Sequence, residues 1–253
     1  MNLKTFCINQ QIEYKEVNIS NPIINKFYEI HNPYYNQIVS IPDSCIDIEF
    51  VWKNGKMYSL LCGSLEQGMV SKIGTYDYCF GIKFNPGMFP TTISANLYEI
   101  INNRYNLNDF VNMDRIDNKK FRAVPFDQKI DYFMHKFDCT ISDFENRSIS
   151  SYIINEINKL SGHINISDLV NDIGYSHCYT DRVFKKVVGF SMKKYANIIR
   201  FQESIGLLEN NNIEEIYDRL GYYDQAHFIK DFKRFTLITP KVYTKVDREL
   251  KIV

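Results

Sequence analysis

The sequence has few of the residue patterns on which enzyme and metal sites depend. Its five histidines occur without an HxH or HExxH spacing, and there is no glycine-rich phosphate loop and no GxSxG turn. Its six cysteines include no CxxC pair, which favours small buried thiols in a reducing cytosol over a redox or metal site. We therefore expect no enzyme activity, no metal and no cofactor.

Long apolar runs and an excess of one charge are also absent. No run approaches the roughly 20 residues of a membrane helix, and the first residues form no apolar signal segment. These absences predict an intracellular, cytoplasmic protein that does not enter the membrane. The 30 basic and 30 acidic side chains cancel, with a net charge of −2 in residues 1–147 and +2 in residues 148–253. This charge balance argues against a protein that coats nucleic acid without sequence preference, because such proteins are normally basic.

What the sequence does contain is a repeated unit near its C-terminus. Residues 174–195 and residues 221–243 share a pattern of aromatic, basic and hydroxyl side chains at an offset of 48 residues. A repeat of this length indicates a duplicated supersecondary unit. In each copy a short amphipathic helix, at 166–173 or 213–220, precedes a tight turn and a second helix. This order is typical of a helix-turn-helix.

The second helix of each copy has clear start and stop signals. Ser176 and Asp224 are good N-caps, and Gly189 is placed to end the first of these helices. One face of each helix is apolar and the opposite face is polar, so each has one side for a core and one for an external partner. The apolar faces consist of Thr180, Val183, Phe184 and Val187 in the first copy, and of Phe228, Phe232 and Phe235 in the second.

These residues resemble the DNA-binding domain of AraC/XylS-type transcription regulators. The second copy, GYYDQAHFIKDFKRFTLITPKVY, follows the family's pattern Gly-aromatic-x-Asp-Gln-x-x-Phe…Phe-Lys-Arg…Thr-Pro…Tyr almost throughout, and the resemblance covers residues 148–245. Leu237 stands where the family usually has Gly, and Met192 where the first copy often has Pro. The resemblance implies a sequence-specific regulator that binds double-stranded DNA and acts with RNA polymerase.

The outward helix faces provide the candidate DNA-binding residues. An α-helix fits the major groove, where Arg182 is suited to guanine and Gln225 to adenine, while Asp181 would accept from cytosine or orient Arg182. Neighbouring basic side chains would hold phosphates. The base-facing set is His177, Cys178, Asp181, Arg182, Gln225, Ala226, His227, Ile229 and Lys230, and the phosphate set is Ser176, Lys185, Lys186, Lys233 and Arg234.

Residues 1–110 are predicted to form a β-rich domain. Segments rich in β-branched and aromatic residues alternate with turn sequences, and Asn54-Gly55 predicts a hairpin. The segments IPDSCIDIEF and FGIKFNPGMFP resemble the cupin-like sensor domain of some AraC-type proteins, which implies an antiparallel barrel that holds a small effector. The predicted strands are 3–8, 13–19, 45–52, 57–61 and 76–84, followed by a helical pattern over 88–105. The candidate pocket residues are Trp52, Tyr58, Tyr76, Tyr78 and Lys83.

Two features of the N-terminal half leave alternatives open. Asp43 and Asp47 are predicted to share one strand face, where they form either a small acidic site or, for Asp43, a turn cap after a proline. The helix predicted over 126–137 has an apolar stripe that either packs on the chain's own barrel or forms the seam of a homodimer. The stripe consists of Ile130, Phe133, Met134 and Phe137.

The sequence therefore predicts a multidomain α+β protein. A β-rich sensor domain (1–110) is followed by a helical dimerisation segment and linker (111–147), with the linker itself over 140–150. An all-α domain with two helix-turn-helix units (148–253) completes the chain. A monomer would span two major-groove segments about 34 Å apart. The expected function is effector-controlled DNA binding; the alternative is a constitutive DNA-binding activator whose N-terminal domain only dimerises or binds a protein partner.

Overall fold

The computed structural model describes residues 3–7, 12–32, 34, 36–90, 93, 96–111, 118–136, 144–210 and 213–250. Within these ranges the chain divides as the sequence predicts, with β-strands in the N-terminal half and helices in the C-terminal half. The strands are β1 (Phe6–Cys7), β2 (Glu13–Asn18), β3 (Ile24–His31), β4 (Val39–Ser40), β5 (Ile46–Lys53), β6 (Lys56–Cys62), β7 (Met69–Val70), β8 (Tyr78–Phe84) and β9 (Arg104–Asn106).

Helices follow and cover these strands. Among the described residues, the N-terminal half contains three short α-helices: α1 (Leu97–Ile100), α2 (Asn118–Ala123) and α3 (Phe126–Lys136). The remaining helices form the C-terminal domain: α4 (Phe144–Lys159), α5 (Ile166–Ile173), α6 (His177–Val188), α7 (Met192–Glu209), α8 (Ile213–Leu220), α9 (Gln225–Thr236) and α10 (Pro240–Leu250). None of the helices in the described ranges has the length and apolar character needed to cross a bilayer.

The strands form two antiparallel sheets. The larger has the order β2-β3-β8-β5-β6-β9, and the smaller has the order β1-β4-β7. Among the described strands the outer two of the large sheet, β2 and β9, do not pair with each other, and the strands of the small sheet are only two residues long. The sequence predicted a closed barrel, and this prediction is wrong. The described strands form two open sheets that face each other.

The predicted hairpin at Asn54-Gly55 is confirmed. It joins β5 to β6, with Lys53 opposite Lys56. Both turn residues have positive φ, 52° for Asn54 and 73° for Gly55. This is the geometry of a two-residue turn that matches the twist of the flanking strands, and it explains why these two residue types stand there.

The longest strand that the sequence prediction missed is β3. Its sequence, INKFYEIH, mixes charged and apolar residues, so it lacks a clear alternating pattern. In the structure it is a central strand between β2 and β8, and its side chains are mostly buried. The buried Lys26 ammonium is 2.8 Å from a Glu16 carboxylate oxygen of β2, which offsets the cost of removing the charge from water.

One face of the large sheet is apolar, and α3 covers it. The Phe133 side chain is fully buried, with its ring centroid 5.1 Å from that of Phe50 and 5.7 Å from that of Phe80. Ile130 and Met134 pack against the same core, whereas Phe137 lies outside the described residues. The described part of the stripe thus packs on the chain's own sheet, which is one of the two uses that the sequence left open, and Phe133 is not available for a homodimer seam.

Two further boundaries differ from the prediction. Helix α4 begins at Phe144, inside the predicted linker over 140–150, of which residues 140–143 lie outside the described ranges. Among the described residues of the predicted helical stretch over 88–105, Leu97–Ile100 alone is α-helical, and Arg104–Asn106 joins the sheet as β9. Pairing with β6 outweighs the local helical pattern there, because the sheet edge offers hydrogen bonds that a short helix does not.

Helix α7 holds the C-terminal domain together. Its Tyr195 packs on Phe184 of α6, with ring centroids 5.6 Å apart, while its Phe201 packs on Phe232 and Phe235 of α9. The buried side chains of α7 include Tyr195, Ile198, Ile199, Ile205 and Leu208. Each helix-turn-helix therefore has its own core, and α7 contributes to both.

The N-terminal half docks directly on α7. The buried Gln202 side chain donates to the carbonyl oxygens of Lys4 (2.8 Å) and Pro42 (2.6 Å), and its own oxygen accepts from the Lys4 backbone N–H (2.8 Å). Ile41 belongs to the core around Phe201, and Cys45 belongs to the core around Tyr195. The two halves of the chain thus share hydrogen bonds and apolar contacts at the helix that joins the two helix-turn-helix units.

Candidate nucleic-acid interface

The two turns that precede the recognition helices have the same construction. Helix α5 ends at Gly174 with φ 79°, and α8 is followed by Gly221 with φ 63°, a left-handed conformation that glycine adopts at little cost. A side chain at Gly221 would lie 2.4 Å from the imidazole ring of His163, so glycine is also required for space. The first unit therefore contacts the turn of the second unit through His163.

Both recognition helices begin at the predicted N-caps. The Ser176 hydroxyl accepts a hydrogen bond from the Tyr179 backbone N–H (3.3 Å), and an Asp224 carboxylate oxygen accepts one from the His227 N–H (2.7 Å). Helix α6 ends at Gly189, again as predicted. Each cap satisfies a backbone donor that would otherwise have no partner within the helix, and this fixes the residue at which the helix starts.

The outward face of α6 is only partly free for an external partner. His177, Cys178 and Arg182 are exposed. Asp181, in contrast, is engaged within the chain: one carboxylate oxygen is 2.7 Å from the Lys185 ammonium, and the other accepts from the Met192 backbone N–H at the start of α7 (3.3 Å). The hydrogen bond to Asp181 raises the pKa of Lys185.

Two tyrosines support the side chain of Arg182. The guanidinium carbon of Arg182 lies 5.7 Å from the ring centroid of Tyr179, and the ring of Tyr179 lies 5.0 Å from that of Tyr175. A guanidinium at this distance from an aromatic ring is attracted by the ring's negative face. This contact restricts where Arg182 can point, which is a feature that the spacing of residues in the sequence did not reveal.

The outward face of α9 presents a different set of side chains. Gln225, Ala226, His227 and Lys230 are exposed, and Ile229 is half-buried. The face therefore combines hydrogen-bonding groups with small apolar surface, as base readout in a major groove requires. The alanine leaves room for close approach of the helix, and the isoleucine offers a contact for a thymine methyl group.

Charged groups on α9 gather around Asp231. Its carboxylate oxygens lie 3.3 Å from the guanidinium of Arg234, 3.8 Å from that of Arg200 on α7, and 3.8 Å from the His227 imidazole. The Arg234 guanidinium also lies 4.6 Å from the ring centroid of Phe235. Of the predicted phosphate contacts on this helix, Arg234 is thus held in place within the chain, whereas Lys233 projects as an exposed side chain.

Two exposed tyrosines are candidates that the sequence prediction missed. Tyr223 immediately precedes the Asp224 cap and is 93% exposed, and Tyr175 precedes Ser176 at the same position of the first unit and is 46% exposed. Tyrosine hydroxyls commonly contact DNA phosphates, and these two stand beside the helix N-termini that would enter a groove. The 48-residue repeat aligns them, and that alignment is the signal that could have identified both.

The five residues predicted to form an effector pocket do not come together. Trp52 and Tyr78 are buried on the apolar side of the large sheet, where Lys129 and Glu29 hydrogen-bond the Tyr78 hydroxyl. Tyr58 and Tyr76 pair near the surface, with ring centroids 6.3 Å apart. Lys83 is fully buried on the opposite side of the sheet.

Lys83 is the centre of a buried charge cluster. Its ammonium lies 2.5 Å from an Asp43 carboxylate oxygen and 3.0 Å from an Asp47 oxygen. Asp43 precedes β5, so the prediction that the two residues share a strand face is wrong, but their carboxylates meet at Lys83. Asp43 also caps the turn, because its other oxygen accepts from the Cys45 backbone N–H (2.9 Å). Among the described residues no group of three histidine, cysteine or acidic side chains has the arrangement of a metal site.

A known family model matches the C-terminal part of the chain. The family profile described as a helix-turn-helix domain matches residues 169–245, which span α6 to α9 and most of the flanking helices. AarP, a transcriptional activator of Providencia stuartii, is 28% identical over 108 residues, covering 42% of this chain and 80% of that protein. HptR, a transcriptional regulatory protein of Staphylococcus aureus, is 32% identical over 83 residues, covering 32% of this chain.

The chain spans only about a third of the length of HptR. Among solved structures, the C-terminal domain of AraT, a response regulator from Geobacillus stearothermophilus, covers 40% of this chain with 24% identity and a TM-score of 0.34. ToxT from Vibrio cholerae covers 96% with 16% identity and a TM-score of 0.41.

Proposed function

We propose that this chain, whose C-terminal domain is of the AraC helix-turn-helix type, is a sequence-specific regulator of transcription whose DNA binding is controlled through its N-terminal domain. The observation that carries the DNA-binding part is the pair of recognition helices α6 and α9. Each has an outward polar face, each starts at a side-chain cap, and both are fixed by α7. Two such helices, both packed on α7, suit two successive major-groove segments.

The roles of individual side chains follow from their exposure and partners. Arg182 and Gln225 are proposed to read bases, because both are exposed and carry the donors and acceptors that base edges require. Lys233 is proposed to hold a phosphate. Asp181 is proposed to position α6 against α7 and to hold Lys185, since its carboxylate already has partners within the chain.

Fluorescence anisotropy with a salt titration tests the DNA-binding proposal. The full chain is mixed with a randomised duplex library, the tightest duplexes are recovered, and their affinity is compared with that of shuffled duplexes at physiological salt. A sequence-specific regulator binds its selected site at least about a thousandfold more tightly than shuffled DNA. Equal affinity for selected and shuffled duplexes would refute sequence-specific binding.

Control by the N-terminal domain is supported by the docking of that domain on α7. The segments at residues 3–5 and 41–45 contact α7 through Gln202 and through two apolar cores. Because α7 packs on both recognition helices, a change in the position of these segments would shift the recognition helices relative to DNA. A small molecule that binds near residues 3–5 or 41–45 would therefore affect the recognition helices through α7.

A matched pair of variants tests this route. Gln202→Met keeps the length of the side chain but removes three hydrogen bonds to the N-terminal half, whereas Glu203→Met changes the next, half-exposed position. Gln202→Met should alter DNA affinity several-fold, and Glu203→Met should leave it within about twofold. If DNA affinity is the same in both variants and in the wild type, the docking is structural only. The protein would then fit the alternative of a constitutive DNA-binding activator.

Homodimer formation and contact with RNA polymerase remain part of the proposal. The apolar stripe of α3 is not available as a seam, because Phe133 is fully buried in the chain's own core. Sedimentation of the full chain, alone and on its selected DNA, tests dimerisation. A chain that stays monomeric in both conditions at tens of micromolar would refute the homodimer.

A further inference from the structure

The N-terminal half contacts the recognition helices a second time, at their C-terminal ends. The Gly68 backbone N–H donates to the Arg234 carbonyl oxygen in the last turn of α9 (3.0 Å). A β-carbon at Gly68 would lie 2.3 Å from the Phe235 carbonyl oxygen, so this close approach requires glycine. At the end of α6, a β-carbon at Gly189 would lie 3.2 Å from the Leu97 carbonyl oxygen. Both recognition helices therefore end against the backbone of the N-terminal half.

The two segments that make these contacts are hydrogen-bonded to each other. They are residues 63–68 and 97–103, which we call the bridge. The Asn102 side-chain oxygen accepts from the Glu66 backbone N–H (2.9 Å), and the Asn102 amide nitrogen donates to the Glu66 carboxylate (3.1 Å). The Asn102 backbone N–H also donates to the Ser64 carbonyl oxygen (2.9 Å). The two segments thus form one unit, and a displacement of one of them moves the other.

One side chain of the bridge, Ile101, lies between the two helix-turn-helix units. It packs against the core of the second unit, which includes Phe201 and Phe235. Its terminal methyl lies 3.3 Å from the position that a β-carbon would take on Gly189 at the end of α6. The bridge therefore adds an apolar contact with both units to the backbone contacts at the two helix ends.

The two ends of α9 are held by different parts of the chain. Before its start, the turn at Gly221 lies against His163 of the first unit. Its last turn packs on α7, where the ring centroids of Phe201 and Phe235 are 4.6 Å apart, and it is bonded to Gly68 of the bridge. A helix that packs on α7 can rotate about that contact, whereas an additional attachment at its end restricts the rotation. The bridge and α7 together therefore fix the angle between α6 and α9.

The angle and distance between two recognition helices decide which DNA sites both helices can enter together. One added base pair moves the second subsite by about 3.4 Å and rotates it by about 35° around the DNA axis. Two helices that are held firmly relative to each other cannot follow this displacement, whereas a helix that is free at one end can follow part of it. Firm attachment therefore gives discrimination between subsite spacings.

We propose that Gly68 and Asn102 are positioning residues for DNA recognition. Through them, the bridge holds the end of α9 relative to α6 and determines the subsite spacing that the protein accepts. This inference deepens the proposed function and rests on it, because it requires both recognition helices to enter the DNA. It is distinct from the docking at Gln202, since Gly68 bonds to α9 itself rather than to α7.

Fluorescence anisotropy on duplexes of different spacing tests the role of Gly68. The selected duplex is compared with versions in which one base pair is inserted or removed between the two subsites. The wild type should bind the altered duplexes at least about tenfold more weakly. Gly68→Ala should reduce this ratio to about threefold or less, because its methyl group displaces the bridge from α9. Gly206→Ala in α7 is the control and should keep the wild-type ratio, since a β-carbon there meets nothing within 4 Å.

Asn102→Gly tests the link between the two segments of the bridge, and it carries the test if Gly68→Ala does not fold. Glycine keeps the φ of 60° at this position but removes both side-chain hydrogen bonds to Glu66. It should reduce the spacing ratio as Gly68→Ala does. Glu66→Gln is the matched control, because a glutamine oxygen still accepts from the Asn102 side chain, and it should keep the wild-type ratio.

The spacing ratio separates positioning from a purely structural role, since a loss of stability would weaken binding to every spacing alike. The inference would be overturned by a wild type that binds all spacings equally. It would also be overturned by a wild-type ratio in Gly68→Ala, or in Asn102→Gly where Gly68→Ala does not fold. In these cases specific binding by the wild type leaves the proposed function standing. Equal affinity of the wild type for selected and shuffled duplexes would instead refute the proposed function itself.

Discussion

The two helix-turn-helix units follow one pattern but stabilise their outward faces differently. Arg182 in the first unit and Lys230 in the second occupy the same position of the 48-residue repeat. Arg182 lies against the ring of Tyr179, and the neighbouring Asp181 is bonded to Lys185. In the second unit the ion pairs collect around Asp231 instead, at a position where the first unit has a buried valine. The same backbone geometry thus supports two different chemical surfaces.

The helix ends also differ. Helix α6 ends at Gly189 with φ 89°, and α9 ends at Leu237 with φ 66°. The two residues occupy the same left-handed conformation, which glycine adopts readily and leucine does not. The difference shows that the second unit folds with local backbone strain that the first unit avoids. Four measurements test the differences between the two units.

The largest effect is expected at the reading positions. Arg182→Ala should cost about 1–3 kcal/mol of DNA binding at one base pair and relax specificity there. Lys233→Ala should weaken binding to all sequences by similar amounts. Anisotropy on a set of single-base-pair variants measures both. If Arg182→Ala weakens every duplex equally and reduces the salt dependence, then Arg182 contacts phosphate and the base-reading assignment is wrong.

A smaller effect, on folding, is expected at the first helix end. A methyl group at Gly189 would lie 3.2 Å from the backbone oxygen of Leu97 and 3.3 Å from a methyl of Ile101. Gly189→Ala should therefore lower the free energy of unfolding by about 2 kcal/mol. Gly174→Ala is the control, because Gly174 has a similar φ and nothing within 4 Å, so it should cost only about 1 kcal/mol. Equal losses in urea unfolding would show that crowding against α1 has no effect.

The second helix end should respond in the opposite direction. Leu237→Gly should raise the free energy of unfolding by about 1 kcal/mol, because it removes the cost of a left-handed leucine and because the side chain is already 42% exposed. Leu237→Asn should give an intermediate gain, since asparagine tolerates this conformation better than leucine. Urea unfolding measures all three proteins. A loss of stability in Leu237→Gly would mean that the leucine side chain contributes more by packing than the backbone strain costs.

The smallest effect is expected at the aromatic support of Arg182. Tyr179→Leu should reduce discrimination at the base pair read by Arg182 by about 0.5–1 kcal/mol, because the guanidinium loses the ring beside it. Tyr179→Phe keeps the ring and should behave as the wild type. Anisotropy on the same base-pair set is the measurement. If Tyr179→Phe loses as much discrimination as Tyr179→Leu, the hydroxyl matters and the ring does not.

The helical units and the local turns could be predicted from the sequence. The caps at Ser176 and Asp224, the stop at Gly189 and the turn at Asn54-Gly55 were all readable, and the structure places each where it was expected. These features depend on residues within a few positions of one another. Helix periodicity and turn chemistry are local, so a single sequence carries them.

Which surfaces meet is visible in the three-dimensional structure and could not be predicted from the sequence. The stripe of α3 was equally suited to a partner subunit and to its own sheet, and the position of Phe133 against Phe50 and Phe80 settled its use. The sequence analysis missed strand β3 because this strand buries Lys26. The buried ammonium is stabilised by Glu16, which lies on another strand. The charge cluster around Lys83 depends in the same way on residues far apart in the chain. Burial of a charge is decided by its partners in space, and no local pattern of residues records them.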